Sequence, residues 1–325
     1  VDDEILARLQ LAGRLQRDKQ YLVRDDKVQI IDEYTGRILP DRSWEQGLHQ
    51  MVEAKEGVKL TSQQSSVARM TYQRFFKRYL WLAGMTGTAQ EVSGELWRTY
   101  GLAVVRVPTN RPVRRRDAGE YLYATGAEKW DAIVGRIGAL HSEGRPVLVG
   151  TRSVGASEHL SELLTRAGLP HQLLNARQDK EEAEIVAQAG QRAAITVATN
   201  MAGRGTDIKL SPEIRDVGGL HVIATELHES RRIDRQLFGR CGRQGDPGSF
   251  EAFGSLEDEL FKTYLGPVSR GFAAGGGGAI PGAMVARLRG LAQGRAERAN
   301  AGIRRALLNS DEKMGDMLAF SGRGE

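Results

Sequence analysis

The sequence predicts an α/β fold in which helices cover both faces of a mainly parallel sheet. Short, almost continuous apolar segments recur through the middle of the chain, as in PVLVG (146–150), AAITVATN (193–200) and LHVIATE (220–226). Helical patterns separate these segments. Strands without an alternating polar face are typical of sheets that are buried on both sides. The length of 325 residues predicts two or more domains.

The N-terminal third alternates helical and extended patterns. We predict a helix at 5–16, a strand at 28–31 with a turn at 35–36, helices at 44–55, 62–82 and 91–100, and a strand at 103–109. The helix at 62–82 carries apolar residues at helical spacing, which predicts a stripe that faces the core. That stripe consists of Val67, Met70, Phe75, Tyr79 and Leu82.

The pattern becomes regular from residue 127. Helices are predicted at 128–143, 153–168, 180–189 and 230–240, strands at 146–150, 171–176, 193–200, 220–226 and 249–255. Right-handed crossovers place the loops that follow parallel strands along one edge of the sheet, where ligands usually bind. Beyond residue 265 this pattern stops. We interpret 271–286 as a flexible glycine-rich joint and 283–309 as a basic helix.

Composition excludes few functions. The net charge of +5 is compatible with anionic partners, such as nucleotide phosphates or acidic lipid head groups, and selects none of them. No segment has the roughly 20 consecutive apolar residues of a membrane span, and the six histidines show no metal-ligand spacing. Because the sequence lacks an initiator Met and begins with a helical pattern, we expect it to be a fragment or part of a longer protein.

The single cysteine, Cys241, leaves no partner for an internal disulfide, which suits a reducing compartment. It stands beside Gly242 and Arg243, so a reactive thiol is one interpretation. The other is a small side chain that fills space in the core. The sequence favours the second.

ATNMAGRGTDI (198–208) is the first segment that predicts chemistry. Its glycines allow a tight turn and a close approach to a ligand. Arg204 can contact a phosphate, and Asp207 can contact a ribose hydroxyl or a partner arginine. The alternative is a surface loop stabilised by an Arg–Asp pair.

HESRRIDRQLFGRCGRQGD (228–246) is the second such segment. Its arginines crowd the end of a helix and the loop after it, and Gln236 stands among them as a neutral hydrogen-bonding group. Such crowding is costly unless an anion or several carboxylates meet it. The alternative is a solvated basic helix end that complements the helix dipole. Glu226 and His228 are expected to orient this cluster. Its arginines are Arg232, Arg235, Arg240 and Arg243.

These segments belong to a series of motifs that resembles the SecA family of protein-translocation ATPases, both in the order of the motifs and in their amino-acid sequences. The series is GMTGTA, VPTNRP, PVLVGT, NAR, IVAQAG, ATNMAGRGTDI, GGLHVIATE and HESRRIDRQLFGRCGRQGD. Upstream, IIDEYTGRILPDRSWEQGLHQMVEAKEGV resembles the SecA segment in which the preprotein-crosslinking domain returns to the first nucleotide-binding lobe. Downstream, AERANAGIRRALLNSDE resembles the start of the long scaffold helix. The resemblance covers nearly the whole chain.

The resemblance implies four regions. Residues 1–40 would end the crosslinking domain with its return strand, and 41–112 would form the C-terminal part of the first RecA-like lobe. Residues 113–262 would form the second RecA-like lobe, similar to a helicase C-terminal lobe. Residues 263–325 would contain the glycine-rich joint and the start of the helical scaffold.

The same resemblance implies roles for residues in ATP binding and hydrolysis. Arg243 would be the arginine finger, with Arg240 beside it at the phosphates. Thr86, Gly87 and Thr88 would couple hydrolysis to lobe movement. The remaining nucleotide contacts would be Arg204, Gly205, Thr206, Asp207, Arg232, Gln236 and Gln244.

Cofactors and partners follow from the resemblance as well. We expect ATP, with Mg²⁺ held mainly by the first lobe. The expected partners are the SecYEG channel, unfolded preproteins, anionic membrane lipids, the N-terminal motor lobe and, as an option, a second copy of the chain. Nucleic acid is not expected. The expected location is the cytoplasm and the cytoplasmic face of the membrane.

Several features depart from the family pattern. Phe238 stands where the family often has another arginine, and KLSPEIRDV is shorter than the usual insertion after GTDI. The scaffold resemblance weakens after Asp311. The sequence contains no G-x-x-x-x-G-K-[ST] loop and no D-E-A-D-type motif. We therefore expect this chain alone not to hydrolyse ATP efficiently.

Two other functions remain open at this level. A nucleic-acid helicase lobe shares the architecture, and fold alone does not separate the two activities. A truncated or decayed motor module that binds without hydrolysing is consistent with the missing phosphate loop.

Overall fold

The computed structural model describes residues 10–13, 15, 17, 20–31, 38–39, 41–45, 47–62, 70–174, 182–199, 207–273 and 278–321. Only the backbone is described at 182–184, 267–273 and 315–321. The described residues form two compact units. One takes its residues from Val1–Ser66, Thr151–Gln188 and Thr196–Thr206, and the other from Val67–Gly150, Ala189–Ile195 and Asp207–Glu325.

A small antiparallel sheet, ordered β1-β2-β3, lies near the N-terminus. Its strands are β1 (Tyr21–Arg24), β2 (Lys27–Ile31) and β3 (Ile38–Leu39). Asp25 and Asp26 connect β1 to β2 with φ values of 53° and 56°, as a type I′ hairpin turn requires. Helix α1 (Leu48–Glu56) contributes Val52 to the small core that also contains Tyr21. The predicted strand at 28–31 is confirmed.

Helix α1 begins four residues later than predicted. Gly47, immediately before it, has a φ of 83°, which lies outside the right-handed helical region. A second glycine, Gly57, ends the helix with φ 67°, the usual left-handed C-terminal stop.

The main sheet has six strands in the order β4-β9-β8-β5-β7-β6. Its described pairs β4–β9, β9–β8, β8–β5 and β7–β6 are all parallel. Every residue of β5, β7 and β8 is buried, so both faces of the central strands are covered and the predicted α/β class is confirmed. The strands are β4 (Arg115–Tyr123), β5 (Val147–Thr151), β6 (Gln172–Leu174), β7 (Ile195–Thr199), β8 (Leu220–Ala224) and β9 (Gly248–Ser255).

Helices alternate with these strands along the chain. A 3₁₀ turn at Gln90–Val92 precedes α3. None of the described helices combines the length and the apolar composition of a membrane span. After α1 the helices are α2 (Tyr72–Phe76), α3 (Ser93–Tyr100), α4 (Gly126–Ser142), α5 (Val154–Arg166), α6 (Glu182–Gln188), α7 (Pro212–Asp216), α8 (Arg231–Phe238), α9 (Glu259–Ala273) and α10 (Gly282–Ser321).

Two predictions in the N-terminal third are wrong. Of the helix expected at 62–82, the described part from residue 70 is helical only in α2, and its stripe is solvent-exposed at Phe75 (43%) and Tyr79 (54%). The strand expected at 103–109 does not form, and Val105 and Val107 are about four-fifths exposed. Apolar and β-branched residues form a core or a strand only where a partner surface packs on them.

Several elements were not predicted, namely β1, β3, β4, α7 and α9. Strand β4 begins with charged residues and lies at the edge of the sheet, where β9 is the strand that pairs with it and Tyr123 at its end bridges to Ala279. Its sequence, RRDAGEYLY, lacks the apolar run that identifies a central strand. Helix α9 extends to Ala273, inside the segment interpreted as a flexible joint, while residues 274–277 lie outside the described part.

Candidate functional site

The arginine-rich segment consists of α8 and the loop from Gly239 to Pro247 that leads into β9. Because this loop directly precedes the first residue of β9, it lies at the amino-terminal edge of the parallel strands. The loops that follow strands lie at the opposite edge. These arginines therefore lie at the edge opposite to the one where parallel sheets usually bind ligands.

A cavity of about 270 Å³ opens beside this loop. It is smaller than the roughly 300–1,000 Å³ of pockets that enclose a drug-sized ligand. Four basic side chains and two carboxylates line it, so its charge favours an anion. These are Lys209, Arg215, Arg240, Arg243, Asp207 and Asp246.

Arg243 is held in place by two hydrogen bonds. Its Nε donates to the carbonyl oxygen of Gly239 at 2.9 Å, and its Nη1 donates to Asp207 Oδ1 at 3.0 Å. The side chains of Arg243 and Asp207 are 39% and 50% exposed. An ion pair this exposed contributes about 0–1 kcal/mol, so a stronger anion can replace the carboxylate.

The backbone of the loop needs special conformations. Gly242 and Gly245 have φ values of 63° and 80°, and Gln244 has 55°. A Cβ on Gly242 would lie 2.7 Å from the Cβ of Arg115, so no larger residue fits without displacement. The loop therefore turns tightly enough to present Arg240, Arg243 and Gln244 to one cavity.

The predicted coupling motif lies beside α8 rather than at the cavity. Gln236 Nε2 donates to Thr88 Oγ1 at 3.3 Å, and the hydroxyls of Thr86 and Thr88 are 3.2 Å apart. Gly87 lies in the turn between them. The structure thus brings Gln236 together with Thr86 and Thr88.

Arg232 is placed differently from Arg240 and Arg243. It is exposed on the first turn of α8 and does not line the cavity. Its charge acts on Glu95, whose pKa is lowered first by a hydrogen bond from Arg304 and further by the nearby Arg98 and Arg232. Three other predicted site residues, Arg204, Gly205 and Thr206, lie outside the described residues.

Glu226 and His228 have defined neighbours. Glu226 Oε1 lies 3.9 Å from Lys129 Nζ. His228 Nδ1 lies 2.7 Å from Asp234 Oδ1 on α8, so His228 is positioned to orient that helix. In the part of the chain with described side chains, no three His, Cys, Asp or Glu residues converge as metal ligands.

Sequence reasoning missed two groups around the site. Lys129 is buried against Asp258 at 2.6 Å, and Gln293 of α10 is buried against Asp234. These partners are 129 and 59 residues apart in the chain. No local pattern links positions so distant, so only the folded structure reveals them.

Cys241 is 1% exposed, and burial raises the pKa of its thiol to about 11. The Sγ contacts the carbonyl oxygens of Phe238 and Ser249 at 3.3 and 3.4 Å. A thiol reacts through its thiolate, and at pH 8 a pKa near 11 leaves about one thiolate in a thousand. These features support the space-filling interpretation over the reactive one.

We predict that iodoacetamide at pH 8 leaves Cys241 unmodified in the folded chain and alkylates it fully in denaturant. Mass spectrometry of the intact chain measures the added mass. The native rate should be at least about a hundredfold below that of a free thiol, because burial adds to the low thiolate fraction. Rapid stoichiometric labelling without denaturant would contradict the space-filling role.

Fold and site together define a class: a parallel α/β lobe in which a glycine-bounded loop presents guanidinium groups to a basic cavity. Two family models match the sequence. The SecA P-loop domain matches residues 112–215 and 211–271, and the SecA preprotein cross-linking domain matches residues 3–53. The chain belongs to the SecA family.

The similar curated proteins carry SecA names. The chain is 56% identical over 319 residues to protein translocase subunit SecA 2 of Nitrosospira multiformis, covering 97% of the chain and 48% of that protein. It is 53% identical over 329 residues to SecA 2 of Bordetella avium, covering 100% and 50%. SecA of Nitratidesulfovibrio vulgaris is 48% identical over 315 residues, covering 95% and 37%. The chain spans half or less of the length of these relatives.

A solved structure of the E. coli DEAD-box protein SrmB, bound to regulator of ribonuclease activity A, is also similar. The identity is 19% and the TM-score 0.36, over 50% of this chain and 87% of that one. This likeness is too distant to bear on function.

Proposed function

We propose that the chain supplies the second ATP-clamping lobe of a SecA-type motor that drives protein translocation through a SecYEG-type channel. The observation that carries the proposal is the convergence of Arg240 and Arg243 on one basic cavity beside Asp207. A cluster of guanidinium groups is the recognised means of stabilising the charge that develops during phosphoryl transfer.

In this proposal Arg243 is the arginine finger. Before nucleotide binds, Asp207 neutralises it through an exposed pair. A triphosphate carried by the first lobe would take the place of the Asp207 carboxylate, because it offers more charge and more acceptor oxygens. Arg240 and Gln244 line the same cavity and would hold the remaining phosphate oxygens.

The other nucleotide contacts follow the family pattern. Arg232 and Gln236 lie on α8 outside the cavity. They would therefore reach the nucleotide only when the first lobe, with its bound ATP, approaches α8. Arg204, Gly205 and Thr206 remain proposed contacts. Through its bond to Gln236, the turn at Thr86, Gly87 and Thr88 would respond to movement of α8.

The cavity suits phosphate and does not suit Mg²⁺. Four basic side chains against two carboxylates repel a divalent cation, and Mg²⁺ prefers carboxylate and water oxygens. When bound, the metal would neutralise charge on the phosphates. We therefore propose that ATP and Mg²⁺ are held mainly by the first lobe, as the absence of a G-x-x-x-x-G-K-[ST] sequence in this chain also suggests.

The exposed apolar residues from 72 to 85 support an N-terminal motor lobe as partner. Tyr72, Leu80, Trp81 and Met85 are between 79% and fully exposed. Large apolar side chains exposed close together in sequence are typical of a protein interface. We propose that they pack against the remainder of the first lobe, whose C-terminal part residues 41–112 would form.

The other partners rest on family membership. The match of residues 3–53 to the preprotein cross-linking domain supports unfolded preproteins as substrates. The translocase names of the relatives support a translocation channel as partner, which we propose to be of the SecYEG type. Anionic membrane lipids and a location in the cytoplasm and on the cytoplasmic face of the membrane are proposed from the family resemblance. A homodimer is a further proposal.

Nucleotide affinity and turnover of the chain test the proposal, measured alone and after mixing with the first-lobe half of the Nitrosospira multiformis relative. We expect ATP turnover only in the mixture, with stimulation by an unfolded preprotein. No turnover in the mixture, despite association of the two parts, would favour a non-hydrolysing module. Turnover stimulated by RNA with steep salt dependence would favour a helicase.

A further inference from the structure

Helix α10 presents three polar side chains to the segment that begins the arginine helix α8. Gln293, Glu297 and Asn300 are spaced by four and three residues, which places them on one face of the helix. All three contact residues between 228 and 234. One helix therefore holds the start of the other.

The first turn of α8 is capped from outside. Its N-cap residue, Ser230, makes no side-chain capping bond. Instead, Glu297 Oε1 on α10 accepts a hydrogen bond from the backbone N–H of Arg231 at 3.1 Å. Asn300 Nδ2 donates to Glu229 Oε2 at 3.1 Å. A carboxylate at a helix N-terminus also complements the helix dipole.

Gln293 is the buried centre of this contact. Its Nε2 donates to the carbonyl oxygen of His228 at 2.9 Å and to Asp234 Oδ2 at 2.6 Å. The other oxygen of Asp234 accepts from the His228 backbone N–H at 3.0 Å and lies 2.7 Å from its Nδ1. Gln293, Asp234 and His228 are 1%, 5% and 8% exposed. The Gln293 amide nitrogen must face His228 and Asp234, because a flipped amide would place its own oxygen against their acceptor oxygens.

Helix α10 is also attached to the segment that contains the predicted coupling turn. Arg304 donates two hydrogen bonds to the carboxylate of Glu95 on α3, at 2.7 and 2.8 Å. Asp311 accepts from the backbone and hydroxyl of Thr71, both at 2.7 Å. The same helix thus contacts both α3 and the start of α8.

We infer that Gln293 is a positioning residue for the arginine cluster. It fixes the first turn of α8 through Asp234. Since α8 has only eight residues, about 12 Å of helix separate that turn from the loop that bears Arg240 and Arg243. A tilt at the start therefore displaces the guanidinium groups at the end. The functional part of this inference rests on the proposed role of Arg243.

Amide hydrogen exchange on the chain itself tests the clamp without nucleotide. Gln293→Met keeps the shape of the side chain and removes its amide, so two buried acceptors lose the hydrogen bond that Gln293 donates to each. We expect exchange at Gly239, Arg240 and Asp246, beyond the far end of α8, to accelerate about tenfold. Exchange in β5 should not change. Acceleration confined to residues 228–234, or none, would overturn the positioning role.

A double variant that exchanges the donor and the acceptor, called the swap below, separates loss of this hydrogen bond from simple misfolding. In Gln293→Glu with Asp234→Asn, the new amide can donate to the new carboxylate while its oxygen still accepts from the His228 N–H. The carbonyl oxygen of His228 still loses its bond from the residue 293 amide. We therefore expect the swap to restore part of the protection that Gln293→Glu alone loses. Failure of the swap to restore any would count against the inference. Asn309→Ala, at an exposed position of the same helix, is the control and should match the unsubstituted chain.

A second measurement uses the mixture with a first lobe. There, Gln293→Met should lower kcat about tenfold with little change in the KM for ATP, because it misplaces groups that act in the transition state. An unchanged kcat with accelerated loop exchange would overturn the functional part. If the unsubstituted mixture shows no turnover, the proposed function fails, and the exchange experiment alone decides the clamp.

Discussion

Arg243→Ala should reduce ATP turnover by about a thousandfold or more in a mixture of the chain with a first lobe. An arginine finger contributes roughly 10³–10⁵ to the rate of phosphoryl transfer. Asp207, the partner of Arg243 in the free chain, is half exposed. Loss of the Arg243 side chain should therefore change the free energy of unfolding by no more than about 1 kcal/mol. Steady-state ATPase assays and thermal unfolding separate the two effects.

The matched control for Arg243→Ala is Arg298→Ala. Arg298 also donates its Nε to the carbonyl oxygen four residues earlier, that of Gly294, at 2.9 Å. It lies on α10 and does not line the cavity, so its loss should leave turnover unchanged. Arg243→Lys should recover little activity, because an ammonium group cannot reproduce the planar fork of a guanidinium. Equal turnover in the unsubstituted chain and Arg243→Ala would exclude Arg243 as the finger.

Lys129→Met should lower the free energy of unfolding by about 3–5 kcal/mol, the usual cost of removing one partner of a buried ion pair. Lys129 on α4 is 2% exposed, and its Nζ lies 2.6 Å from Asp258 Oδ1. Asp258 also accepts from the backbone and hydroxyl of Ser255, both at 2.8 Å. Without the ammonium group, the Asp258 carboxylate would stay buried with neutral donors only. Chemical denaturation monitored by circular dichroism measures the change.

Two further variants interpret that result. Lys262→Met makes the same change at an exposed position shortly after Asp258 and should shift stability by less than about 0.5 kcal/mol. Lys129→Met combined with Asp258→Asn removes both charges and should cost less than the sum of the single changes. A single Lys129→Met variant as stable as the unsubstituted chain would show that the pair contributes nothing.

The central strands were predictable because their signal is local. Both faces of strands β5 and β8 are buried, so their sequences are almost continuous apolar runs. The arginine loop was predictable for a similar reason: its glycines and guanidinium groups are adjacent in sequence. Strand β4 was not, because its charged residues carry no local strand signal and its pairing partner, β9, lies far along the chain.

The site was only partly predictable. The sequence indicated that Arg240, Arg243 and Asp207 act on one anion, and these residues line one cavity. It did not indicate at which edge of the sheet this cavity lies, since that depends on the loop that precedes β9. It also placed the stripe containing Phe75 and Tyr79 in a core, although these rings are exposed in the described chain.

The amino-acid sequence by itself determined the α/β class, the SecA family and the chemical character of the arginine loop, because each is encoded by neighbouring residues. Only the tertiary structure decided which side chains hold that loop in place. Gln293 meets Asp234, and Lys129 meets Asp258, across 59 and 129 residues. Such pairs form when packing removes both groups from water, and the need to satisfy buried polar groups then selects the partner.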